Sequence, residues 1–195
     1  TVQSTALVSI GISSLSFFIV AFLFREQLSS LIGFDSQFVS YALLILVLDA
    51  LVIIPFVWFR ANEKPLKYAL IKIINVCINL GCNLFFLIAL PLLVVDNPNT
   101  FWHSLYIQDH AVLYVFISNV IASGATLVML LGVYIKIGFN FNVSIWKKMI
   151  RYSFPVLIAG IAFSVNEAFD KILLNYLLPP DIAANEVGVY AACYK

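Results

Sequence analysis

Four chemically active side chains lie in the middle of a long apolar stretch, residues 154–178. They are Asn166, Glu167, Asp170 and Lys171. Insertion scales put a charged residue at the centre of a membrane helix at roughly 2.5–3.5 kcal/mol, so such residues usually face a cavity or a partner helix. The cluster therefore indicates a polar route through a membrane, and with it a transport function.

Spacing within this cluster suggests separate roles. Asn166 and Asp170 are four residues apart and share a helix face, and so do Glu167 and Lys171, in the favourable acid-before-base order. Two interpretations stay open for the second pair: the two charges neutralise each other, or both face the route. Asp170 has no partner on its own helix and needs a proton or a distant cation, for example Lys72. We predict substrate binding by Asn166 and Lys171, and ion coupling by Glu167 and Asp170.

Asp49 is the single charged residue of a second apolar stretch, residues 39–59. A lone carboxylate at the middle of a membrane helix is a proton or cation site, or else the partner of a cation on another helix. Both interpretations stay open, and we predict an ion-coupling role for Asp49.

A third apolar stretch, residues 68–95, carries four polar side chains at steps of three, four and four. This spacing places them on one helix face, because an α-helix repeats every 3.6 residues. The amides can bond a neighbouring helix or form the wall of a polar cavity, while the lysine can also extend to the membrane interface. We predict substrate binding by this face, which comprises Lys72, Asn75, Asn79 and Asn83.

A fourth stretch, residues 111–135, has small and polar residues along its first half. They are Ser118, Asn119, Ser123 and Thr126. Small and hydroxylated residues let helices approach closely in membranes, so we interpret this set as a packing surface.

The composition is that of a membrane protein. Hydrophobic residues make up 63% of the 195 residues and charged residues only 11%, against roughly 25% charged residues in soluble domains. The mean hydropathy is +1.01. The sequence therefore predicts an all-α polytopic membrane protein.

Several classes of function are disfavoured. A net charge of +1 over 195 residues argues against nucleic acid as the partner, because phosphate binding needs concentrated Lys and Arg on one face. The three cysteines lie in apolar runs and support neither a disulfide framework nor a zinc site, so we expect no metal and no cofactor. No nucleophile–base set or phosphate-binding glycine loop occurs in the sequence, and His103 and His110 stand in or beside one outer loop. We therefore do not expect an enzyme.

Five stretches reach the roughly 20 apolar residues that a bilayer core requires, and a sixth begins near Val187. The separators carry the turn-forming and charged residues of short loops. Because the sequence starts without Met and ends soon after the sixth stretch begins, we expect a fragment of a longer protein. The five predicted spans are residues 5–24, 39–59, 68–95, 111–135 and 154–178.

Basic residues concentrate in the second and fourth connections, whereas the first, third and fifth hold only Arg25. The positive-inside rule then makes the second and fourth connections cytoplasmic. Residues 144–154 of the fourth connection are either a short amphipathic interfacial segment or an ordinary basic loop. The basic residues are Arg60, Lys64, Lys67, Lys136, Lys147, Lys148 and Arg151.

Two stretches of the sequence resemble the Wzx-type polysaccharide flippases of the multidrug/oligosaccharidyl-lipid/polysaccharide exporter superfamily. The first comprises Leu48-Asp49-Ala50-Leu51, Ile54-Pro55-Phe56, Arg60-Ala61-Asn62-Glu63-Lys64-Pro65, Ile71-Lys72-Ile73-Ile74-Asn75-Val76, Asn79 and Asn83-Leu84-Phe85-Phe86. The second comprises Arg151-Tyr152-Ser153-Phe154-Pro155, Asn166, Asp170-Lys171 and Val187-Gly188-Val189-Tyr190-Ala191-Ala192-Cys193-Tyr194-Lys195.

This resemblance implies a MATE-like bundle of two lobes, of which the chain covers the third helix to the start of the eighth. Residues 1–135 are then the end part of the amino-terminal lobe, 136–153 a cytoplasmic linker, and 154–195 the start of the carboxy-terminal lobe. Asp170-Lys171 stands where the family usually has Asp-Arg, and Lys keeps the charge but loses the forked geometry.

The resemblance also implies the function: movement of undecaprenyl-pyrophosphate-linked oligosaccharide repeat units across the bacterial inner membrane, for O-antigen or related polysaccharides. The expected partners are this lipid-linked oligosaccharide, membrane lipids and other membrane proteins of glycan assembly. Two alternatives stay open, a cation-coupled multidrug exporter of the same superfamily and a membrane enzyme of glycan assembly.

Overall fold

The computed structural model describes residues 2–96 and 111–193, and these residues form helices joined by short connections. The predicted all-α class is confirmed, since the described residues contain no strand. A single π-helical segment, Phe85–Ala89, lies between α4 and α5. The helices are α1 (Val2–Leu23), α2 (Arg25–Ile32), α3 (Ser36–Ala61), α4 (Pro65–Leu84), α5 (Leu90–Asp96), α6 (Ala111–Ile137), α7 (Val143–Leu177) and α8 (Pro180–Cys193).

Four helical stretches among the described residues are long and apolar enough to cross a membrane: Val2–Leu23, Ser36–Ala61, Pro65–Val94 and Ala111–Ile137. Each has at least 22 residues, whereas a bilayer core requires about 20. The chain is thus a multi-pass membrane protein, and the first four predicted spans coincide with these helices. Residues 154–177 of the fifth predicted span are helical within α7, and this stretch stays a prediction as a span.

The chain divides into two compact units, Thr1–Asn142 and Val143–Lys195. This division falls inside the predicted linker 136–153. In the second unit α7 runs without interruption from Val143 to Leu177, so residues 144–154 form its first turns, and it packs against α8. The assignment of residues 1–135 and 154–195 to two lobes stays a prediction.

In the first unit, α3 and α6 pack against each other, α1 covers α3, and α4 covers α6. Apolar side chains of α3, α4 and α6 form a continuous core, because each helix turns its large residues toward the other two. This core comprises Val52, Phe56, Phe59, Ile71, Leu130 and Val133.

Pro55 lies buried inside α3 and links the helix to α6. A proline has no N–H to donate to the carbonyl four residues earlier, here that of Leu51. The hydroxyl of Tyr134 donates a 2.8 Å hydrogen bond to this carbonyl. Because lipid offers no donors, a backbone acceptor freed by proline needs such a partner, and Tyr134 therefore stabilises α3 at its weakest turn.

The start of α1 and the end of α6 lie at the same end of the first unit. The Ser4 hydroxyl donates to the carbonyl of Asn140 over 2.6 Å, and the N–H of Asn142 donates to the Thr5 hydroxyl over 3.2 Å. The tight turn between α3 and α4 also lies here, since Lys64 and Lys136 line one pocket. We call this region the basic end. It holds those residues of the predicted cytoplasmic basic set that belong to the first unit: Arg60, Lys64, Lys67 and Lys136.

Candidate functional site

A groove of about 550 Å³ opens between α3, α4 and α6. Apolar residues form part of its wall, and polar side chains from all three helices face it. We call it the polar groove. Its polar side chains are Asp49 of α3, Lys72 and Asn75 of α4, and Asn119, Ser123 and Thr126 of α6.

Asp49 occupies the centre of α3, which extends about 18 Å from it in either direction. The buried hydroxyl of Ser123 donates a 2.8 Å hydrogen bond to its Oδ1. Among the described residues, this is the one side-chain bond that the carboxylate receives, so Oδ2 is open to the groove. The arrangement leaves Asp49 able to take a proton or a cation from the groove.

Lys72 stays in the groove, with its ammonium nitrogen 4.8 Å from the centre of the Phe56 ring. A cation over an aromatic face gains roughly 0.5–2 kcal/mol, which stabilises this position of the ammonium. Within the part of the chain that the structure describes, no ion pair joins Lys72 to Asp49. The groove therefore presents one cation and one anion that do not neutralise each other.

Asn75 and Asn79 both bond to α6, as the spacing of the polar face predicts. Asn75 donates 2.9 Å to the Thr126 hydroxyl, and Asn79 donates 2.6 Å to Oδ1 of Asn119. The hydroxyl of Thr126 in turn donates to the carbonyl of Ala122. These bonds join the helices, and the Asn75 side chain also lines the groove, so the two roles left open by the sequence are not exclusive.

Asn83 lies one turn beyond Asn79 and does not line the groove. Its Nδ2 donates to the carbonyl and to Oδ1 of Asn79, over 2.9 and 2.8 Å. Its own Oδ1 is buried and finds no donor among the described residues. Asn83 thus extends the polar seam between α4 and α6 toward the π-helical segment.

The predicted cluster of α7 belongs to the second unit. Asn166, Glu167 and Asp170 are exposed there, and Lys171 is half-buried. The Tyr190 hydroxyl of α8 lies 3.5 Å from Oδ2 of Asp170. No ion pair joins Glu167 to Lys171 in the described ranges, so the two charges stay separately accessible. The partnership of Asp170 with Lys72 stays a prediction.

The sequence indicates a packing role for three residues that the structure places in the groove wall: Asn119, Ser123 and Thr126. Their steps of four and three place them on one face of α6, the same signal that identifies the polar face of α4. Phe56 carries no such signal, because a phenylalanine in an apolar stretch gives no indication that it will face a lysine.

The described residues contain no group of three or more His, Cys, Asp and Glu that could hold a metal ion. His103 and His110 lie outside the described residues. Comparison of the chain with protein-family models, with curated proteins and with solved structures gives no match. The polar groove and the residues that line it are therefore the features of the molecule that indicate its function.

Proposed function

We propose that this protein is a flippase that moves undecaprenyl-pyrophosphate-linked oligosaccharide repeat units across the bacterial inner membrane. The observation that carries the proposal is the polar groove, where a carboxylate, an ammonium and amide and hydroxyl groups of apolar helices face one cavity, with Asp49 and Ser123 halfway along their helices. Polar groups at this depth are costly and typically line the path of a polar cargo. The two-lobe architecture and the contribution of α7 belong to the same proposal.

The groove offers the groups that such a cargo needs. The ammonium of Lys72 complements a pyrophosphate, because a lysine binds phosphate as a point charge. The amide of Asn75 and the hydroxyl of Thr126 can exchange their mutual bond for bonds to sugar hydroxyls, and the amide of Asn119 can likewise exchange the bond that it accepts from Asn79. Asp49, with one oxygen open, is placed to couple this exchange to a proton or a cation.

An apolar cavity beside the polar groove fits the lipid part of this cargo. It has a volume of about 600 Å³, lies between α1, α2, α3 and α6, and is lined by apolar side chains such as Phe24, Phe38 and Phe116. Leu46 of α3 lines both the apolar cavity and the polar groove. A molecule with a polar head and an apolar chain can therefore contact both at once.

The open carboxylate of Asp49 also favours a second candidate, a cation-coupled exporter of amphipathic cations. Such a cargo would be attracted by Asp49 and repelled by Lys72, since both charges face one groove. The two candidates therefore differ in the effect of removing the lysine charge: Lys72→Gln impairs a flippase for anionic lipid-linked glycans and improves an exporter of cations.

Complementation tests the proposal. The complete gene and its Asp49→Asn and Lys72→Gln variants are expressed in a bacterium that lacks its own O-unit flippase, and surface polysaccharide is measured. Asp35→Asn and Arg60→Gln are matched controls, because each removes a charge of the same sign outside the groove, at one of the two ends of α3. We expect glycan with the unaltered gene and both controls, and its loss with both groove variants. Equal glycan from groove variants and controls would refute the assigned role of the groove.

A further inference from the structure

A second polar cavity, separate from the polar groove, lies at the basic end of the first unit. It has a volume of about 480 Å³ and is formed where α3 and α6 end and α4 begins. We call it the basic pocket. It shares no lining residue with the polar groove among the described residues. The flippase proposal assigns it no role.

Three lysines line the basic pocket: Lys64, Lys67 and Lys136. No acidic side chain is among the described residues that line it, and the neighbouring Glu63 stays outside. Lys64 places its ammonium nitrogen 4.9 Å from the centre of the Trp58 ring, so one cation is held against the pocket wall. Like charges gathered in one pocket repel each other, and an anion that binds among them relieves this repulsion.

The remaining wall of the basic pocket is apolar. Phe59, Ile71 and Val133 are buried and form part of the wall. Leu66 and Leu70 are 83% and 56% exposed, and they extend the apolar surface outward. A free phosphate would use the lysines and leave this surface unused, whereas a phosphate that carries hydrocarbon chains would contact both.

The depth of the pocket fits a lipid headgroup. Lys136 is the second-last residue of α6, and Lys67 is the third residue of α4, so both lie at the ends of apolar helices. Trp58 stands three residues before the end of α3, and tryptophan is enriched where membrane helices meet the headgroups. Basic pockets between membrane helices on the cytoplasmic side bind anionic lipid headgroups.

We propose that the basic pocket binds the phosphate group of an anionic membrane lipid, with Lys64, Lys67 and Lys136 around the phosphate and the leucines along the acyl chains. This proposal does not depend on the flippase function. It adds a lipid site at the membrane surface that is distinct from the site of the cargo.

Tryptophan quenching by brominated lipid tests this inference. Trp102→Phe and Trp146→Phe leave Trp58 as the reporter inside the pocket. The chain is reconstituted in vesicles of constant phosphatidylcholine and phosphatidylglycerol content, and only the lipid that carries bromine on its acyl chains is exchanged. The surface charge of the vesicle thus stays the same in every comparison. We expect brominated phosphatidylglycerol to occupy the pocket with a preference of about fivefold over brominated phosphatidylcholine.

Two sets of three substitutions distinguish lipid binding in the basic pocket from general attraction of the protein to an anionic membrane surface. The first set combines Lys64→Gln, Lys67→Gln and Lys136→Gln, and it should abolish the lipid preference, to a ratio of about one. Lys136→Gln alone should give an intermediate ratio. The matched set Lys147→Gln, Lys148→Gln and Arg151→Gln removes the same charge from α7, where none of the residues lines the pocket. It should leave the preference unchanged.

Equal quenching by the two brominated lipids, or equal loss in both sets of substitutions, would overturn the proposal. An added arm uses inorganic phosphate, with chloride at matched ionic strength as its control. Phosphate that abolishes the lipid preference where chloride does not would identify a site for soluble phosphate and would also overturn the lipid assignment. A lipid preference that inorganic phosphate leaves unchanged supports the binding of a lipid headgroup in the pocket.

Discussion

Ser123 donates a 2.8 Å hydrogen bond to Asp49 and thereby joins the centre of α6 to the centre of α3. Both residues stand halfway along helices that are long and apolar enough to span a membrane. A carboxylate at this depth needs a partner, and the bond supplies one while it leaves the second oxygen open. The same contact therefore stabilises the helix pair and holds the candidate ion-coupling group in the polar groove.

Ser123→Ala is expected to destabilise the protein by about 0.5–2 kcal/mol. Hydrogen bonds to charged groups contribute roughly 1.5–3 kcal/mol in water-soluble proteins, but bonds between membrane helices average only about 0.6 kcal/mol. Denaturation in mixed micelles measures the change. The control is Ser13→Ala, because Ser13 is exposed and its hydroxyl donates within its own helix, to the carbonyl of Ile10. A loss in the control as large as that in Ser123→Ala would contradict the expectation.

The bond between Asn79 and Asn119 should appear as an energetic coupling. A double-mutant cycle with Asn79→Ala and Asn119→Ala is expected to give about 0.6 kcal/mol, the average for such bonds in membranes. The comparison cycle pairs Asn79→Ala with Thr126→Ala, since Thr126 bonds to Asn75 instead. Its coupling should be close to zero. Equal couplings in the two cycles would show that these hydrogen bonds do not govern the packing of α4 on α6.

Water-soluble reagents should reach residues that line the polar groove. They should not reach residues on the lipid-facing side of α4. With Cys82 and Cys193 changed to Ala, Cys77 is a built-in control, because it is exposed and lines no part of the groove. Asn75→Cys, introduced with Cys77→Ala, should react with a charged maleimide at least about tenfold faster than Cys77, since charged reagents partition poorly into lipid. Mass spectrometry of the labelled protein gives both rates. Equal rates would argue against a water-filled groove.

Asp170→Asn is expected to abolish export of the lipid-linked unit while the protein stays in the membrane. The carboxylate is exposed on α7, and Tyr190 lies 3.5 Å from it, so the substitution removes charge with little loss of packing. Glu186→Gln of α8, also exposed, is the matched control and should retain export. Membrane fractions confirm expression, and the surface glycan is the measured quantity. Normal glycan in Asp170→Asn would remove this residue from the coupling mechanism.

Much of the first unit could be predicted from the sequence, because length and hydropathy alone define a membrane helix. The first four predicted spans coincide with apolar helices, and the steps between Asn75 and Asn79 indicate the face that meets α6. The sequence also indicates Asp49 as a site, since a single charge in an apolar stretch is conspicuous.

Other features depend on which helices become neighbours, which the periodicity of one helix does not reveal. Tyr134 is the donor for the carbonyl freed by Pro55, and Phe56 lies beneath the Lys72 ammonium, yet each pair joins separate helices. The basic pocket is a further example. Lys64 and Lys136 are distant in the sequence, and only the packing of α4 on α6 brings them into one cavity.

Transbilayer movement of the cargo in purified vesicles tests the central claim most directly. The complete gene product is reconstituted with a fluorophore-tagged polyprenyl-pyrophosphate oligosaccharide, and an impermeant reductant bleaches the tag in the outer leaflet. We predict that the label of both leaflets is bleached with the unaltered protein, and that Lys72→Gln slows the inner-leaflet phase by about tenfold, the effect of losing one charge-assisted bond. Tagged phosphatidylcholine should stay protected in the inner leaflet. Protection of the tagged oligosaccharide by the unaltered protein, or an unchanged rate in Lys72→Gln, would contradict the account.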